Sequence, residues 1–215
     1  MTMTPLLRKF VLTAHVTSSV GWLGAVAGFL VFAVTGLTSQ DVQIVRAAYL
    51  AMELIGWFVI VPLSLASLLT GLVQSLGTKW GLFRHYWILV KFLINIFASI
   101  VLLLHMQPTS HLANVAAETT LSSGDLRGLR IQLVADAGAA LLVLLVATTL
   151  AVYKPQGMTP YGQRKQHAQG DTDVGPDRGS TTSTPRWVKV FGIIIIVLVL
   201  LFVILHLTGR GLGSH

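Results

Sequence analysis

The chain has 215 residues, of which 53% are hydrophobic and only 11% charged, and its mean hydropathy is +0.74. A soluble domain carries about a quarter charged residues, so this composition excludes an ordinary solvated surface. Cysteine is absent, which excludes disulfides, thiolate zinc sites, cysteine-held iron–sulfur clusters and the covalent attachment of c-type haem.

A spanning helix takes about 20 mostly apolar residues. Five stretches meet that length: Phe10 to Leu37, Ala51 to Leu76, Trp87 to Met106, Ile131 to Tyr153 and Val188 to Leu207. The first is far longer than the ~7–15-residue core of a secretory signal and no small-x-small site follows it, so it is expected to be retained. Between the fourth and fifth stretches the composition shifts to Gly, Pro, Ser, Thr and Gln with scattered charges. Such a segment cannot bury enough surface to fold and reads as a flexible linker. The expected fold is an all-α membrane protein. A four-helix transmembrane bundle covers 1–153, a cytoplasmic linker 154–187, and a fifth transmembrane helix with a short outer tail 188–215.

The net charge is +7. With the N-terminus inside, ten Lys and Arg fall on the cytoplasmic side, while Arg46, Arg127, Arg130 and Arg210 fall outside. This positive-inside bias predicts an outside C-terminus, and the expected location is the plasma membrane. Topology and anionic headgroups then account for the basic charge, and no nucleic-acid partner is needed. In the first helix small residues recur every fourth position: Ala14 and Ser18, Gly21 and Ala25, Gly24 and Gly28. That spacing lets backbones or a flat ligand approach closely, and the glycine-rich face offers a contact for a homodimer.

Five of the seven histidines fall near the membrane, and an ionisable residue inside a span points to function. His15 and His85 form an inner set; His105, His111 and His206 form an outer set. His85 and His105 are twenty residues apart, about 30 Å of helix, or one hydrocarbon thickness. Neutral imidazole ligates haem iron. Two facing pairs, His15 with His85 and His105 with His206, would hold two b-type haems stacked through the membrane. On a straight helix His85 and His105 project roughly 200° apart. His111 is therefore an alternative ligand to His105, with Pro108 expected to turn the chain between them.

Other polar residues cluster toward the outer half. Glu53 is expected to open the second helix with Trp57 one turn later, and Asp136 lies with Gln132 in the first turns of the fourth. Carboxylates beside histidines can accept the protons released when quinol is oxidised. With His111 they could equally bind copper, or they could simply pair with Arg46 and Arg130. Lys91 begins a polar stripe with Asn95 and Ser99 at i+4 steps. It either snorkels to the cytoplasmic interface or, like Arg84, neutralises a haem propionate.

The first helix reads His15-x6-Trp22-x-Gly24, and the end of the second helix through the third reads Gly77-Thr-Lys-Trp80-Gly-Leu-Phe-Arg84-His85-Tyr-Trp87-x3-Lys91. Over helices one to three, about half the chain, this resembles a group of small integral membrane proteins of actinobacteria and other Gram-positive bacteria that includes di-haem transmembrane cytochromes. It is more remotely similar to the copper-resistance D membrane proteins and to the haem-b-binding membrane protoporphyrinogen oxidases. The resemblance implies His15 and His85 as axial ligands, Trp22 as a packing or haem-facing aromatic, and Lys91 as a functional cation. The last family carries an Arg late in the first helix; Phe29 to Leu37 here has none, which argues against that activity.

The leading expectation is a haem-b membrane oxidoreductase that moves electrons from a quinol or other donor to an oxygen species or metal at the outer face. His111, Glu53 and Asp136 would surround its outer pocket. A copper-binding or copper-transport protein comes second, and a non-catalytic scaffold third.

Overall fold

The computed structural model describes residues 3–77, 85–118 and 126–153, together with Thr159 and Val190. Among these every element is helical: α1 (Pro5–Thr38), α2 (Val42–Ile55), a π-helical turn (Gly56–Ile60), α3 (Val61–Leu76), α4 (Tyr86–Glu118) and α5 (Arg127–Tyr153). α2, the π turn and α3 run on as one stretch, so four stretches are long and apolar enough to cross a membrane. The linker 154–187, the fifth helix 188–215 with His206, and Arg84 lie outside the described residues.

Local chemistry explains where these helices begin and why they persist. Pro5 opens α1, where its missing N–H would have had no helical partner. Asp41 caps α2: its carboxylate accepts the backbone N–H of Gln43 at 2.8 Å and of Ile44 at 3.4 Å. The cap starts this span at Val42, well ahead of the expected Ala51, and only residues 39–41 join it to α1. Glu53 therefore sits near the end of α2 and does not open the span. Pro62 follows the π turn, in which the Val61 N–H donates to the Gly56 carbonyl five residues back. A proline lacks an N–H and crowds the preceding turn, and the wider π turn absorbs that misfit.

The largest departure from expectation is at Pro108. α4 passes straight through it and ends at Glu118. Without water to satisfy freed backbone groups, losing one hydrogen bond is cheaper than unwinding the helix in lipid. The Thr109 hydroxyl donates to the His105 carbonyl at 2.9 Å beside the gap. His105 accordingly lies near the middle of α4, and His111 lies on the same helix, where an outer loop was expected.

The four spans alternate in direction. α1 and α4 each pack against the α2–α3 span and against α5, which sets α1 and α4 diagonally across the bundle. We call the end with the α1 N-terminus proximal and the end with the α1–α2 turn distal. A central apolar layer joins all four spans, with Trp22 and Val26 against Ile60, Leu63, Ala98, Leu102, Leu141 and Leu144. A distal layer gathers Ala33, Tyr49, Met52, Leu112 and Leu133. Residues such as Phe10, Val20, Phe58, Leu69 and Val152 are exposed, as an apolar solvent requires of helices that are hydrophobic all round.

A polar clamp closes the distal layer. Arg130 donates from Nε to the Tyr49 hydroxyl at 2.8 Å and from Nη2 to the Gly36 carbonyl. Its guanidinium lies 5.7 Å from the Tyr49 ring centroid, within cation–π range. A Cβ at Gly36 would stand 2.7 Å from Tyr49 Cζ, so only glycine lets α1 approach the ring. The clamp ties α1, α2 and α5 together and occupies the arginine that could have paired with Asp136.

Candidate functional site

Two buried histidines organise the polar interior, one in each half of the bundle. His15 on α1 meets the face of α3. Its Nδ1–H points at the Ser67 carbonyl at 3.1 Å and the Thr70 hydroxyl oxygen at 3.2 Å. The Thr70 hydroxyl spends its own hydrogen on the Ala66 carbonyl, so it can only accept from His15. Both partners therefore select the tautomer protonated at Nδ1, and Nε2 carries the lone pair. Gly71 makes room for the ring: a Cβ there would come within 3.0 Å of His15 Cε1.

Hydroxyls and an amide extend this cluster. Ser19 and Ser67 share a hydrogen bond at 2.8 Å, and Asn95 on α4 donates to the Ser67 hydroxyl at 3.5 Å. These contacts fix the register of the spans. His15 is level with Thr70 and Gly71, one turn proximal of Ser67; one turn proximal of Asn95 on α4 is Lys91. Lys91 is near enough to act on His15 electrostatically. His85, six residues before Lys91 and immediately ahead of α4, lies about 9 Å farther toward the proximal end. The register thus sets Lys91 opposite His15 and leaves His85 below it.

In the other half His105 on α4 faces Asp136 on α5, with Nε2 2.7 Å from Oδ2 and side-chain exposures of 11% and 10%. His105 Nδ1 is 2.8 Å from the Val101 carbonyl. Both ring nitrogens thus face oxygens. The Val101 carbonyl can only accept, so Nδ1 carries a hydrogen, and the Nε2···Oδ2 contact then needs one more. The pair binds that proton, as imidazolium with carboxylate or as imidazole with carboxylic acid. The sequence singled out both residues and gave them separate roles; the structure joins them.

The remaining candidates are more scattered. Trp22 is 2% exposed in the central layer. Glu53 is half-buried on α2 and His111 is exposed on α4. Trp57 donates to the Ser110 hydroxyl at 3.3 Å on the outside of the bundle. Sequence reasoning missed Ser67, Thr70 and Gly71, although a signal was present: Ser64, Ser67, Gly71 and Ser75 recur at steps of three and four along an otherwise apolar span.

These geometries test which residues suit haem. An axial ligand needs an imidazole nitrogen with a free lone pair and a second nitrogen anchored to an acceptor. His15 meets both conditions, and Lys91 at its level is a cation suited to a propionate. His105 does not fit: both of its nitrogens are already engaged, so the expected outer haem finds no ligand there. Among the described residues no three His, Asp or Glu side chains converge to hold a metal ion. No family of proteins, no curated protein and no solved structure matches this chain, and the functional reading rests on its own groups.

Proposed function

We propose that the protein is a multi-pass membrane oxidoreductase in which His15 holds haem b and the His105–Asp136 pair accepts protons from a quinol. The N-terminus faces the cytoplasm, the fifth helix crosses after the linker, and the pair belongs to the outer half of the plasma membrane. The observation that carries this reading is the way His15 is held: Nδ1 is anchored on a carbonyl and a hydroxyl, so that in the neutral ring the lone pair falls to Nε2. That is how a metal-bound histidine is fixed in tautomer and orientation.

Haem b, when bound, supplies one-electron chemistry that no side chain of this protein offers. The chain's own residues do the rest. Ser67, Thr70 and Gly71 hold the His15 ring in place, and Lys91 supplies positive charge on the same level. His105 and Asp136, in a low-dielectric setting, take or release a proton at the Nε2–Oδ2 contact.

The test is optical. Protein purified from haem-replete cells should be red, with a Soret band and sharpened bands on reduction. His15→Ala should abolish the bands, and His105→Gln should leave them at full height. Full haem in His15→Ala would overturn the assignment. A colourless protein that binds copper stoichiometrically would replace it with the copper reading, and one that binds neither would leave a scaffold.

A further inference from the structure

Two buried polar atoms in the centre of the bundle have no hydrogen-bond partner among the described residues: the Trp22 indole Nε1 and the Ser99 hydroxyl. Trp22 is 2% exposed and Ser99 5%. Leaving such a group unmatched costs about 1–3 kcal/mol, and buried polar atoms of this kind usually bind ordered water.

The helix register places both residues at about one depth. Gly21 lies against Leu63, and Trp22 packs in the layer that holds Ile60, Leu63 and Ala98. Ser99 follows Ala98 and stands one turn distal of Asn95, which bonds Ser67. Trp22 is on α1 and Ser99 on α4, helices that each pack against the α2–α3 span and against α5. Proximal to them is the Ser19–Ser67–Asn95 cluster. Distal to them, six residues along α4 from Ser99, is His105 with Asp136. Along the helix axis that interval is about 9 Å, and the two side chains project roughly 120° apart around it.

We infer that the layer of Trp22 and Ser99 is a hydrated passage through which protons move between the His105–Asp136 pair and the Ser19–Ser67–Asn95 cluster. The two side chains have different parts in it. An indole N–H only donates, so Trp22 holds a water by its oxygen and relays nothing. A hydroxyl donates and accepts, so Ser99 can pass a proton on. At each step one N–H or O–H bond breaks as another forms, and the net result is one proton displaced along the file. The inference rests on the proton-accepting role proposed for His105–Asp136, and on no part of the haem assignment.

The experiment reads hydration directly. Full-length protein labelled with 15N at the Trp indoles and His rings is placed in lipid nanodiscs, and Trp22→Phe assigns the indole signal. The Trp22 indole N–H should show a cross-peak to water in the unaltered chain, so no folding defect bears on that result. Ser99→Val, close to serine in shape and unable to relay, should slow hydrogen–deuterium exchange at the Trp22 indole and the His105 ring at least tenfold. A dry Trp22 indole overturns the inference, as does exchange at His105 that Ser99→Val leaves unchanged. A colourless protein that meets both expectations would overturn the haem reading and leave the passage standing.

Discussion

His15 and His105 are both buried on spanning helices, yet the chain treats them differently. The hydrogen-bond partners of His15 are neutral, the Ser67 carbonyl and the Thr70 hydroxyl, and the charged group near it is the Lys91 cation. Around His105 the decisive partner is a carboxylate, and both nitrogens are committed. Neutral partners leave an imidazole available to a metal or a proton, whereas a carboxylate at 2.7 Å turns the imidazole into half of a proton-binding unit. The same residue type therefore meets two different surroundings in the two halves of one bundle, and the difference comes from the neighbouring helix: α3 offers a carbonyl and a hydroxyl, α5 an acid.

This contrast can be broken from the distal side first. Asp136→Ala leaves a buried imidazole without its acid and should cost about 3–5 kcal/mol, read as a lowered midpoint in denaturation of the purified protein. Asp136→Asn, which keeps a hydrogen-bond partner, should cost less. Equal and small losses for both would mean that the pair does not join α4 to α5. Gly36→Ala drives a methyl into the Tyr49 ring and should cost about 1–3 kcal/mol in the same assay, loosening the distal clamp without touching either histidine.

Changes on the proximal side should be gentler. Thr70→Val removes one of the two acceptors of His15 Nδ1–H and should cost about 1 kcal/mol; the Ser67 carbonyl keeps the tautomer. Gly71→Ala needs the His15 ring to shift by only a few tenths of an ångström, so stability should fall by at most about 1 kcal/mol. Its haem content should drop much more, because ring placement decides ligation. A Gly71→Ala protein with full Soret absorbance would show that the His15 ring is not positioned by α3.

Much of this was legible in the sequence, and the misreadings have physical causes. Span lengths and the low share of charged residues pointed to an all-helical chain with membrane-crossing stretches, and two of the histidines in apolar runs, His15 and His105, are buried. The expected start of the second span at Ala51 took hydropathy alone as its guide and left Asp41 out, although an aspartate ahead of a helical run is an N-cap signal. The break expected at Pro108 applied an aqueous rule to a solvent that cannot satisfy an opened helix. With the break went the separation of His105 from His111 and the placement of His105 at a helix end.

The amino-acid order by itself determined that the described part of the chain forms four apolar stretches long enough to cross a membrane, because hydropathy decides which stretches can enter lipid; it did not fix where α2 begins or where α4 ends. It also determined which ionisable groups go in with them. Which groups meet was decided only by packing. His15 finds its acceptors 52 and 55 residues away, and His105 finds its acid 31 residues away. Those meetings depend on helix rotation and register, which arise from side chains interlocking between spans and leave no periodic trace along any one of them.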